Sequence, residues 1–164
     1  MLNKRIQDAI NEQIKNELDS AYLYLSMSAH CQSINLPGCA HWLRVQHQEE
    51  LSHAMKLLDY IHDRGGKGTI PAIGKPHATF KSPRDVFQMF LDHEKSVTAL
   101  INKLYELASK ENDHASQIML QWFVNEQVEE EKVASEIVEQ FKMIGDNKSA
   151  LLMLDRHLSA RSAG

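Results

Sequence analysis

The stretch Gly65-Gly66-Lys67-Gly68-Thr69-Ile70-Pro71-Ala72-Ile73-Gly74-Lys75-Pro76-His77-Ala78-Thr79-Phe80-Lys81 decides how this chain folds. Glycines and prolines punctuate it, and no helical periodicity resumes until Ser82. A connection of about 17 structureless residues argues against a simple up-down order unless it has a distance to cover. Before it, a helical pattern runs from about Pro37 to Arg64. A helix of about 28 residues is about 42 Å long, whereas about 17 extended residues reach about 56 Å. The stretch can therefore return the chain along the whole helix and leave the helices on its two sides parallel. The expected fold is all-α: a four-helix bundle with one long crossover.

The remaining boundaries follow from the same punctuation. The first helix spans about Asn3 to Ser33, with Ile6, Ile10, Ile14, Leu18, Ala21 and Leu25 on one side and Lys4, Asp8, Glu12 and Lys15 away from it. The short break Ile34-Asn35-Leu36-Pro37-Gly38 implies antiparallel neighbours. The third helix opens on Ser82-Pro83-Arg84-Asp85, where Ser82 caps, Pro83 suits the first helical position and Asp85 meets the positive helix end. After Glu111-Asn112-Asp113 the fourth helix runs from about His114 to Ile144 and stops at Gly145. A short fifth segment, about Asn147 to Ser159, carries Ala150, Leu151, Leu154 and Leu158 at helical spacing. With the four-helix core already complete, this segment reads as an oligomer contact, a cap on the bundle end being the alternative. One domain over residues 1–164 accounts for the chain, with the bundle at about 3–144 and the fifth helix at about 147–159.

Each of the four apolar stripes is broken near its middle by a carboxylate. Glu17 lies three after Ile14 and four before Ala21. Glu50 and His53, three apart, share one helix face and point at a common spot. In the third helix the stripe Phe87, Phe90, Glu94, Val97, Ile101, Leu104, Ala108 has Glu94 as its single polar member. His93 projects about 100° away and reads as a surface residue. The fourth stripe carries Gln127 and Glu130, flanked by Glu126, Glu129 and Glu131. Tyr24, seven after Glu17, lies along the same face, within reach of a carboxylate.

A lone Glu-x-x-His is weak evidence, but four carboxylate slots on helices that must face one another are strong. Buried carboxylates without a partner are costly, and oxygen-rich, single-histidine ligation suits ferrous and ferric iron better than zinc or copper. The set reads as a dinuclear carboxylate site in a bundle core. A charge run is ordinarily a solvated face, the account that serves for Glu131. For Glu126 and Glu129, beside a buried Glu130, a counter-cation explains more.

Composition limits the remaining choices. The chain has 164 residues and a net charge of −4, and no basic tract suited to nucleic acid. It has no apolar run of membrane-spanning length and no signal-peptide core, so a cytoplasmic protein is expected. Cys31 and Cys39 fit neither a disulfide framework nor a zinc knuckle.

Essentially the whole chain resembles the non-haem ferritins of bacteria and archaea. The resemblance is carried by Asn16-Glu17 with Tyr24, Gln48-Glu49-Glu50-x-x-His53, His93-Glu94 and Leu120-Gln121-Trp122-Phe123-Val124-x-Glu126-Gln127-x-Glu129-Glu130-Glu131. It implies Fe(II) oxidation by O2 or H2O2 at a ferroxidase centre, and ferric mineral stored in a hollow homo-oligomeric shell of twenty-four subunits. By the same resemblance Glu17, Glu50 and His53 bind a first iron, and Glu50, Glu94 and Glu130 a second, with Glu50 bridging. A third iron site nearer the cavity would use Glu49, Glu126, Glu129 and Glu130. Gln127 and Tyr24 would stand just outside the ligands, the tyrosine also as an electron donor. Bacterioferritins, which share the fold, ligate haem between subunits through a methionine. Near Ser52 this sequence has none at that position, so haem is not expected. Helix four offers Gln127-x-x-Glu130 where the wider di-iron superfamily often has a second Glu-x-x-His, which speaks against a dedicated oxygenase or reductase cofactor and favours a site that releases its iron. Two other readings compete with this one: a peroxide-detoxifying mini-ferritin, whose iron site lies between subunits, and a helical interaction module without metal, which would leave four buried carboxylates unpaired.

Overall fold

A computed structural model describes residues 1–162 as five helices: α1 (Lys4–Ser33), α2 (Pro37–Asp63), α3 (Pro83–Lys110), α4 (His114–Ile144) and α5 (Lys148–Leu158). The side chain of Asn3 accepts from the Arg5 amide at 2.8 Å to start α1, and Ser82 accepts from the Asp85 amide at 3.1 Å to start α3. The two tight turns each place an asparagine in the left-handed region, Asn35 at φ 60° and Asn112 at φ 54°, a conformation its short polar side chain tolerates. These turns fold α1 with α2, and α3 with α4, as antiparallel hairpins.

The crossover behaves as its length requires. The Lys67 amide donates to Gln7 Oε1 at 2.9 Å, the Thr69 amide to Asn11 Oδ1 at 2.8 Å, and the Gly74 amide to Asp19 Oδ1 at 3.3 Å. Farther on, Ser26 Oγ donates to the His77 carbonyl at 2.7 Å. Its anchors on α1 thus advance from residue 7 to residue 26, carrying the chain the length of the bundle and making α2 and α3 parallel. Buried Phe80 then pins the end of the crossover into the core.

The core is not continuous. One cluster gathers Tyr24, Met27, Trp42, Leu43, Phe87, Phe90 and Phe141. The other gathers Ile6, Ile10, Ile14, Leu57, Ile61, Ile101, Leu120 and Phe123. Along every long helix the passage from one cluster to the other crosses the polar residues singled out above: Glu17 in α1, Glu50 and His53 in α2, Glu94 in α3, Gln127 and Glu130 in α4. A polar belt therefore divides the bundle at mid-height. Leu18 and Leu25, expected in the core stripe, are only half-buried because α1 turns that edge partly outward.

The expectation that the core is complete without the fifth helix needs correction. Leu154 and Leu158 are buried within the first cluster, and Asp155 is buried against the start of α2. No side chain of α2's own neighbourhood caps that helix. Asp155 does so from a distance, accepting from the amides of Gly38 at 3.0 Å and Cys39 at 2.8 Å, where the helix dipole favours a negative charge. The approach is so close that a Cβ on Gly38 would lie 1.7 Å from the Asp155 carbonyl oxygen, so only glycine fits. Asp155→Ala, which leaves two buried amides unpaired, is expected to lower unfolding free energy by about 1–3 kcal/mol and to speed amide exchange throughout α5. Unchanged exchange in α5 would show that its leucines alone hold it.

Candidate metal centre

The belt brings five of the expected residues together in the buried interior. Glu17, Glu50, His53, Glu94 and Glu130 are all buried, as is Gln127. His53 Nδ1 lies 3.3 Å from Glu50 Oε2 and 3.9 Å from Glu17 Oε2. One donor atom from each of these three falls within 4.8 Å of the others, close enough to share one cation. The i,i+3 spacing on α2 sets the Glu50–His53 half of this triad, and the antiparallel α1–α2 hairpin supplies Glu17. The edges of Trp122 and Phe123 close the far side of His53, with ring centroids 5.3 and 5.9 Å away.

Neutral amides hold the carboxylates. Gln13 Nε2 donates to Glu17 Oε1 at 2.8 Å. Gln46 Nε2 donates both to Glu50 Oε1 at 3.0 Å and to Glu130 Oε1 at 2.9 Å, joining α2 to α4 across the belt. Gln127 Nε2 donates to Glu94 Oε2 at 3.1 Å, and the Tyr24 hydroxyl donates to Glu94 Oε1. Gln13 and Gln46 were not singled out in the sequence, although each sits four residues before its glutamate, the spacing at which helical side chains meet. His93, expected at the surface, instead packs on the Tyr24 ring and shares a 2.8 Å hydrogen bond with Ser20 Oγ. Helical spacing does turn His93 away from Glu94, but toward α1 rather than toward solvent.

Burial sets the electrostatics. It pushes the Glu17 and Glu50 carboxyls well above their ordinary range, and the mutual charge of the clustered glutamates pushes the same way. Glu94 is raised to about 7 and Glu130 to about 8, again mainly by burial. The amide donors pull these values back without supplying a positive charge. Such a cluster binds protons that a divalent or trivalent cation would displace.

The residues expected at an outer site are placed differently. Glu126 is half-buried and Glu129 exposed. Glu49 lies near enough to Glu130 for its charge to raise that carboxyl, yet its Oε2 is paired with Arg161 Nη2 at 2.5 Å. Among the described residues, Glu49, Glu126 and Glu129 do not converge as closely as the Glu17–Glu50–His53 triad. Cys31 and Cys39 are free, buried thiols, with burial raising Cys31 to about 12, so neither is poised to react or bind metal.

This arrangement matches a known architecture. The model of the ferritin-like domain family covers residues 7–144. The chain belongs to the ferritin family. This ferritin is 40% identical over 161 residues to the bacterial non-heme ferritin of Bacteroides fragilis (strain 638R), covering 98% of this chain and 100% of the relative. It is 38% identical over 162 residues to that of Staphylococcus saprophyticus, covering 99% of this chain and 97% of the relative. An open-pore ferritin from the hyperthermophilic archaeon Archaeoglobus fulgidus superposes with a TM-score of 0.97 at 46% identity, covering 99% of each chain. Iron storage is the role that accompanies membership of this family. No described helix of this ferritin is long and apolar enough to cross a membrane.

Proposed function

We propose that this ferritin oxidises Fe(II) at a di-iron centre built within one subunit and deposits ferric mineral inside a hollow shell of twenty-four copies. The observation that carries this reading is the belt itself, to which each of the four long helices contributes one buried carboxylate. Glu17, Glu50 and His53 take the first Fe(II). Glu50 bridges to the second, which Glu94 and Glu130 complete. Holding the two ions through one carboxylate lets two electrons pass together to O2, giving H2O2 with the uptake of two protons and avoiding release of a one-electron oxygen radical. The carboxylates' charge favours Fe(III) over Fe(II), so binding assists oxidation. Tyr24, whose hydroxyl donates to Glu94, would serve as a further electron donor only where a third Fe(II) also reacts, the four electrons then taking O2 with four protons to two waters. A third iron near the cavity uses Glu49, Glu126, Glu129 and Glu130. The outward side chains of Leu152 and Met153 on α5 are exposed in the single subunit and meet neighbouring subunits in the shell. The protein works in the cytoplasm.

Aerobic addition of Fe(II), followed by size-exclusion chromatography with iron analysis and an oxygen electrode, tests the proposal. Iron eluting with a large assembly, at tens of ions or more per subunit and with O2 consumed, is the expected result. Iron that precipitates free of protein, or that elutes with a single subunit, overturns it.

A further inference from the structure

Residues 159–162 fold back over α2 next to the belt. Past the end of α5, the Arg161 guanidinium stacks 4.1 Å above the Trp42 ring, and its Nη2 donates to Glu49 Oε2 at 2.5 Å. Its Nη1 reaches the Trp42 carbonyl at 3.4 Å, and its own carbonyl meets His41 Nε2 at 2.8 Å. Both partners of the ion pair are largely shielded, with side-chain exposures of 20% for Arg161 and 28% for Glu49. Four contacts thus hold a cation on a carboxylate that lies one residue from Glu50 and within electrostatic reach of Glu130.

We infer that Arg161 is a positioning residue for the outer iron site: a tethered cation that holds Glu49 until a metal ion displaces it and frees the segment beyond α5. The inference rests on the outer site proposed above. Guanidinium and metal ion compete for Glu49, because the single Nη2–Oε2 bond already pairs the carboxylate with one cation, and a second cation must share or displace it. The pair therefore weakens the outer site relative to the inner two, ordering the filling so that the inner centre loads first. Stacking on Trp42 gives the displaced state an optical reporter, since a metal ion at Glu49 removes the guanidinium's ion pair and places a repelling charge beside the stacked cation.

The experiment uses the assembled protein and Zn(II), which is redox-inert and does not quench indole by electron transfer. The chain has two tryptophans, so Trp122→Phe leaves Trp42 as the sole emitter. In that background Zn(II) is titrated with calorimetry and fluorescence together. The Trp42 emission is expected to change with the third equivalent per subunit and not with the first two. Arg161→Gln should remove that change and tighten the third equivalent roughly two- to fivefold, the range of a partly shielded ion pair, without altering the first two. Arg161→Lys, which keeps the charge but not the stacked fork, should fall between. A third equivalent that binds with unchanged affinity in Arg161→Gln, or without any Trp42 response, overturns the role of Arg161 while the outer site stands. Binding that ends at two equivalents in every variant removes the outer site and the inference with it.

Discussion

Glu94→Ala is expected to abolish the fast phase of Fe(II) oxidation while leaving the bundle folded. Glu94 is the only polar member of the inward stripe of α3, and under the proposed ligation the second iron would lose one of its three carboxylates with it. Loss of a group merely supporting a metal ligand typically costs 10- to 100-fold, so loss of the ligand itself should exceed about 100-fold in initial rate. The fold should survive because two effects oppose each other. Removing the carboxylate leaves the Tyr24 hydroxyl without its acceptor, at a cost of about 1–3 kcal/mol. It also removes a buried acid that strains toward neutrality, its carboxyl already raised to about 7. Gln127 keeps its bonds to Thr98 Oγ1 and to the backbone carbonyl of residue 94, both at 3.2 Å. Glu94→Gln separates ligation from packing, since it preserves shape and an acceptor for Tyr24 while offering a poorer metal ligand. Stopped-flow oxidation at two Fe(II) per subunit, read beside the thermal melt, measures both quantities. A folded Glu94→Ala protein with an unchanged initial rate would take Glu94 out of the centre.

Why these residues could be read from sequence, and others not, has a physical basis. Glu17, Glu50, Glu94 and Glu130 betray themselves because each violates the period of an apolar stripe, and a violation at mid-helix has few cheap explanations. The crossover betrays itself through length alone, since a connection that must span a bundle cannot be short. The supporting amides are harder to see, because a glutamine four residues from a glutamate is as much at home on a wet helix face as in a dry core. Burial of Gln46 becomes evident only when α4 arrives with Glu130. Contacts between segments remote in sequence leave no local trace at all. Asp155 reads as one more polar residue on a short helix until α5 is laid against Gly38, and Arg161 lies beyond the last helical spacing with no pattern of its own until it meets Trp42 and Glu49. Helical spacing fixes where His93 points relative to Glu94, but whether a neighbour waits there is decided by the packing of α1.

The metal-free protein should become less stable as pH rises from about 5 to about 8, the reverse of the usual response of carboxylate-bearing proteins. A carboxyl with a folded value above its unfolded value of 4.5 holds a proton in the native state that the unfolded chain has already released. The native state then binds more protons, and unfolding free energy falls with pH. The contribution is complete below 4.5, where both states are protonated, and is lost as pH climbs through about 7 for Glu94 and about 8 for Glu130. Each unit of displacement corresponds to about 1.4 kcal/mol for one group, so the belt together should cost several kcal/mol across the window. For a subunit of this size that is a fall in Tm on the order of 10 °C. Glu130→Gln should flatten the decline, because its neutral side chain has no proton to lose yet can still accept from Gln46. Adding Zn(II) should invert the slope. A cation takes the place of the protons, and its binding tightens as the carboxylates ionise. Calorimetric melts of the apo and Zn(II)-loaded protein at half-unit steps of pH decide the matter: an apo Tm that stays level or rises between pH 5 and 8 would mean that the four carboxylates already stand ionised in the empty belt, and that something other than a proton holds them there.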